Sequence, residues 1–146
     1  MIMEIKKSIE GFEKIFHNNQ LLAIVVRDNF NEAGPTFFTE QEHGFQLAVH
    51  NVEKGKRYKA HISLPFKTLE NLNPNKVYFM KKGKSKIDLY DNEGLSVGEM
   101  VLNQGDLILF ISGGHGCDIL DDSFMIELKQ GPYRGIEDDK KFLENS

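Results

Sequence analysis

Turn signals spaced at short intervals restrict this chain to short strands. Leu21–Val26, Thr36–Thr39, Gln46–Val52, Arg57–Leu64, Leu95–Leu102, Leu107–Ile111, Cys117–Leu120 and Phe124–Gln130 each read as a strand bounded by turn residues. The run KVYFMKKGKSKIDLYD reads as two more strands, a hairpin around a Lys-Gly-Lys turn at Gly83. About nine short strands, with turns every ~8–12 residues, indicate an all-β sandwich or barrel rather than βαβ units. At 146 residues the chain fits one domain, 1–146, with its core over about 20–133. The first segment, Glu4 to Phe16, reads equally as a short helix or an edge strand. The tail after Gly131 is polar except for Phe142-Leu143 and is expected to dock as a short helix or stay loose.

Composition narrows the partners. Net charge is −4, so non-specific nucleic-acid binding has no electrostatic support. The basic run Lys81, Lys82, Lys84 and Lys86 reads as a solvated hairpin tip. A single cysteine, Cys117, leaves neither an internal disulfide nor a cysteine-based zinc site. The opening MIMEIKKSIEGF has no apolar core of a signal peptide, and no apolar run approaches the ~18 residues a membrane span needs. A cytoplasmic location is therefore expected.

One stretch points to a site. In Gly105–Leu120, GDLILFISGGHGCDIL, a Gly-Asp turn feeds an apolar strand that breaks at Ser112-Gly113-Gly114 just before His115. Glycines there let the backbone turn sharply beside a ligand. On Arg57–Leu64 the alternation sets Tyr58, Ala60, Ile62 and Leu64 on one face and Lys59, His61 and Ser63 on the other. Lys76 shares a face with Tyr78 and Met80, and Lys129 shares one with Glu127 and Met125. Cys117 shares a face with His115, but no third group orients a Cys-His pair, so inert packing is the reading. His17, His43 and His50 lie near turns without metal-ligand spacing.

These residues resemble a cupin: a strand carrying His61, a gap, the segment with Gly83, then GDLILFISGGHG. Phe37-Phe38-Thr39, Gly113-Gly114-His115-Gly116 and Lys129-Gln130-Gly131-Pro132-Tyr133 resemble more narrowly a small bacterial cupin group. Its members are often encoded among genes for surface polysaccharide synthesis. The resemblance implies a double-stranded β-helix, or jelly roll, with a short N-terminal appendage, and a homodimer.

It also implies four metal ligands, of which only His61 and His115 are kept. Ser63 and Lys76 stand at the other two positions. A unit charge ~4 Å from a divalent ion is repelled by ~8 kcal/mol at an effective dielectric of ~20. No metal or other cofactor is therefore expected; were a metal held, His61 and His115 would hold it. The function expected is small-molecule binding in the barrel by His61, Ser63, Lys76, Tyr78, His115 and Lys129. The resemblance suggests a sugar or nucleotide-sugar ligand, and the lysines suit an anionic one. Two alternatives stand beside it. One is a metal-free sugar isomerase or epimerase with His115 or His61 as general base, and the other is a metal-dependent cupin with a degenerate site.

Overall fold

The computed structural model describes residues 4–17, 19–27, 29–67 and 73–144. Part of the loop expected between Pro65 and Pro74, residues 68–72, lies outside the described residues. The chain falls into two compact units, Met1–Ala33 and Gly34–Ser146.

The first unit is a three-stranded antiparallel meander of β1 (Glu4–Ile9), β2 (Phe12–His17) and β3 (Gln20–Val26). Glu4 to Phe16 is thus neither a helix nor one edge strand but a hairpin turning at Glu10-Gly11. Phe30, almost fully buried, packs against Gly11. The Arg27 guanidinium donates to the Glu13 carboxylate at 2.7 Å.

The second unit contains β4 (Gly34–Phe37), β5 (Phe45–Val52), β6 (Arg57–Ser63), β7 (Lys76–Tyr90), β8 (Ser96–Asn103), β9 (Leu107–Phe110), β10 (Gly114–Gln130), α1 (Ile136–Asp139) and β11 (Lys140–Phe142). Its plan follows from two long strands, β7 and β10, which pair antiparallel along nearly their whole length. The early half of β7 pairs β9 and the later half pairs β8. The early half of β10 pairs β6 and the later half pairs β5. Two layers result, ordered β8-β7-β10-β6-β11 and β9-β7-β10-β5-β4, sharing the two bent strands. This is a jelly roll.

Two expectations are corrected here. The hairpin at Lys82-Gly83-Lys84 does not form, and Asp121-Asp122-Ser123 does not end a strand. Each sits at the bend of a continuous strand, and the two bends face each other. Gly83 has φ 94° and a Cβ there would overlap Ser123 Oγ. The β7–β10 register slips at Asp121 and Phe124, as bulges allow when a strand changes layers. Turn chemistry is used for a bend because both halves of β7 find their partner in β10 rather than in each other. The basic run is therefore no hairpin tip. Lys86 instead lies 3.4 Å from Asp118 and 3.3 Å from Glu99.

Between the layers lie Val52, Tyr78, Met80, Ile87, Leu102, Phe110, Cys117, Ile119 and Met125. Each fully buried apolar side chain contributes about 1.5–3 kcal/mol. Cys117 is wholly inside this core, and burial pushes its thiol up to about 12. The tail docks rather than staying loose. Its last described residue, Glu144, accepts from the Arg57 guanidinium at 2.9 Å and from the Ala60 N–H at 2.7 Å, while β11 pairs β6. Among the described residues no helix is long and apolar enough to cross a membrane.

Candidate functional site

The barrel encloses a cavity of about 560 Å³, within the range of pockets that hold small organic ligands. Period-two alternation supplies most of its wall. Gln46, Ala48 and His50 come from β5, Lys76 and Tyr78 from β7, and Glu127 and Lys129 from β10. Strand β6 departs from the alternation read in its sequence. Its pairing with β10 runs His61↔His115 and then Tyr58↔Cys117, three residues against two. That bulge turns both Tyr58 and His61 into the cavity, although they are three residues apart. Phe37 and Tyr133 stand with the same lining, and Lys140 reaches it from β11.

The polar groups inside are connected. Glu127 Oε2 lies 2.7 Å from His50 Nε2, and His50 Nδ1 lies 2.8 Å from Tyr58 Oη. A carboxylate only accepts, so His50 donates through Nε2 and its Nδ1 accepts from the tyrosine hydroxyl. Glu127 Oε1 faces Lys76 Nζ at 3.5 Å. Burial opposes the ionisation of Glu127, but Lys76 and the His50 hydrogen bond outweigh it, and the carboxyl is held well below its usual range. Burial lowers Lys76 to about 8, with Lys129 and Lys140 pushing the same way and Glu127 opposing. Lys129 donates to Asp139 of α1, and both side chains are buried. Among the described residues no carboxylate pairs with Lys140. Among the described residues, three ammonium groups thus meet two carboxylates in and beside the cavity.

The two histidines singled out in the sequence are neighbours, with ring centroids 4.7 Å apart. His61 lines the cavity. Its Nδ1 lies 2.8 Å from the Lys59 carbonyl, which fixes the proton on Nδ1, and its bare Nε2 faces Lys76 Nζ at 3.3 Å. His115 is stacked flat on Phe110 at 3.7 Å and edge-on to Tyr78 at 5.7 Å, set behind the cavity wall. Burial, then the charge of Lys76, brings His61 to about 3 and His115 to about 2. Both are neutral and very weak bases at neutral pH. Ser63 does not line the main cavity but shares a recess with two of the others, Lys76 and His115. That recess, lined also by Asn73 and Asn92, is about 20 Å³, the size of one water.

The residues do not fit a transition metal. Among the described residues no three His, Cys, Asp or Glu side chains converge, and the Lys76 ammonium occupies the approach to His61 Nε2. His50, Tyr58, Glu127 and Lys140 are the site residues that sequence reading missed. The alternation Gln46-Ala48-His50 was the available signal for His50. Strand alternation alone places Tyr58 on the face opposite His61, because a bulge is invisible without the register.

No protein-family model matches the sequence, and neither does any curated protein. Solved structures do match in shape. Oxalate decarboxylase from Bacillus subtilis superposes with a TM-score of 0.58 at 16% identity over 78% of this chain, of which the chain spans 29%. KdgF from Halomonas sp. gives 0.51 at 13% identity, over 90% of this chain and 87% of that one. A cupin superfamily protein from Desulfitobacterium hafniense gives 0.52 at 10%, over 72% of this chain and 83% of that one. At such identities the likeness is one of fold, and the fold is the cupin jelly roll.

Proposed function

We propose that the barrel binds a small anionic molecule of sugar type, such as a sugar acid or a nucleotide-sugar. The observation that carries this reading is a cavity cation without an ion pair of its own among the described residues. Lys76 is matched to Glu127 and Lys129 to Asp139, while Lys140 lines the cavity with no carboxylate at ion-pair distance among the described residues. An ammonium in a partly desolvated wall is stabilised by an anion, with ~4 kcal/mol of attraction at ~4 Å and an effective dielectric of ~20. Aromatic faces at Tyr58, Tyr78 and Tyr133 suit the apolar face of a sugar ring. Gln41 offers an amide partner for its hydroxyl groups.

A thermal-shift panel tests this with glucuronate, galacturonate and UDP-glucose against glucose and galactose. The acids or the nucleotide-sugar are expected to raise the melting temperature, and the neutral sugars to do little. Equal responses to acids and neutral sugars would remove the anionic reading.

The relay Tyr58–His50–Glu127 favours a second reading, a metal-free isomerase or epimerase that moves a proton on the bound sugar. His50, rather than His61 or His115, would receive the proton, by way of the Tyr58 hydroxyl that donates to its Nδ1, because the carboxylate beside it stabilises the imidazolium that forms. Exchange of a substrate C–H with solvent deuterium, lost in His50→Gln, would mark this activity. Its absence across the panel would leave binding alone.

A further inference from the structure

We propose that Lys76 is a carbonyl-capturing amine, forming an imine with the aldehyde or keto group of an anionic ligand. The inference rests on the anion-binding reading above, since the anion brings the carbonyl into the cavity. It starts from the directions around Lys76 Nζ. His61 Nε2, 3.3 Å away, can only accept, because its ring proton is committed at Nδ1 to the Lys59 carbonyl. Glu127 Oε1, 3.5 Å away, also only accepts. One of the three directions left around Nζ is therefore taken by an N–H pointing at His61, and the Glu127 carboxylate lies at ion-pair distance from another. The third belongs to the lone pair once the amine is neutral, and Lys76 lines the cavity. A nucleophile thus stands in the cavity wall.

The surroundings raise the share of neutral amine above that of an exposed lysine. Lys76 is 3% exposed and faces His61 from β6, Glu127, Lys129 and His115 from β10, Asp139 from α1 and Lys140 from β11. A desolvated lysine crowded by other cations is a recognised way of activating this nucleophile. The chemistry closes without a co-reactant. Nζ forms the N–C bond, and the carbonyl π pair goes to oxygen. Protons leaving Nζ by way of the Glu127 carboxylate end on that oxygen, which departs as water when the nitrogen pair closes the C=N bond. An ammonium and a carbonyl enter, and an iminium and water leave, with no net change in charge or oxidation state. Lys140 stays available for the ligand's carboxylate or phosphate, so the substrate class is a carbonyl-bearing acid.

The test uses the whole protein with pyruvate and with glyoxylate, each in the presence of sodium borohydride, followed by intact mass and peptide mapping. One reduced adduct per chain is expected, located at Lys76. At neutral pH the free-amine fraction there exceeds that of an exposed lysine on the order of a hundred-fold, so labelling at Lys76 should lead that at Lys54 or Lys141 by at least roughly ten-fold. Excess glucuronate should slow it, and Lys76→Arg should abolish it. Adducts spread evenly over exposed lysines would overturn the inference, as would none at all. A parallel thermal shift with glucuronate separates the two readings. A shift without a Lys76 adduct sinks imine formation and keeps anion binding, whereas no shift and no adduct sinks both.

Discussion

Acid should unfold this protein through its two buried histidines, well before carboxylates are protonated. His61 and His115 are each about 5% exposed or less and titrate near about 3 and about 2 in the folded chain, against 6.5 when unfolded. Between those values the unfolded state binds protons that the folded state excludes, so stability falls as pH falls. The window opens at about pH 6.5 and continues down to about 3. Moving from about pH 7 to about pH 5 protonates both in the unfolded chain only. At about 1.4 kcal/mol per pH unit below the unfolded pKa, each histidine removes ~2 kcal/mol, ~4 kcal/mol together. That is a large share of the ~5–15 kcal/mol typical of a domain. Urea unfolding at the two pH values measures it directly. In His115→Phe, which keeps a ring against Phe110, the pH-dependent loss should shrink by about half. Equal stability at the two pH values, or an undiminished loss in the variant, would show that the imidazoles are not held neutral by burial.

Other outcomes follow from the same contacts. Gly83→Ala combines a backbone angle that Cβ disfavours with overlap onto Ser123, so thermal unfolding should register a loss of about 2 kcal/mol or more; an unchanged melting temperature would mean that the bend is not constrained. Tyr58→Phe leaves His50 Nδ1 without its donor and should destabilise by about 1–3 kcal/mol in urea titrations. Cys117, with its thiol pushed up to about 12 inside the core, should react with a thiol reagent only when the protein is unfolded, and rapid native labelling would contradict the packing. Titration with Mn or Ni should give no tight site at neutral pH; one equivalent bound tightly and lost in His61→Gln would contradict the misfit at Lys76.

The sequence carried the architecture further than the site. Strands such as Gln46–Val52 and Leu107–Ile111 are legible because turn residues bound them. The inward set Lys76, Tyr78, Met80 was legible because β7 keeps strict alternation. What failed depended on long-range pairing. Gly83 looks like a hairpin tip locally and becomes a bend only because β10 runs past it. Tyr58 and His61 share the cavity only because of a bulge set by β10. The partnerships of His50 with Glu127, 77 residues away, and of Lys129 with Asp139 on the docked tail arise from register and tail docking. No local pattern encodes them. Lys140 lay in a polar tail whose own composition gave no reason to place it in a barrel wall.

The central claim is that an anion completes the charge of the barrel at Lys140. A crystal structure with the acid that gives the largest thermal shift tests it most directly. The account predicts the sugar ring between Tyr58 and Tyr78, with its carboxylate or phosphate within ~3 Å of Lys140 Nζ. A ligand bound on the outer surface of the barrel, or one inside with its charged group turned away from Lys140, would contradict it.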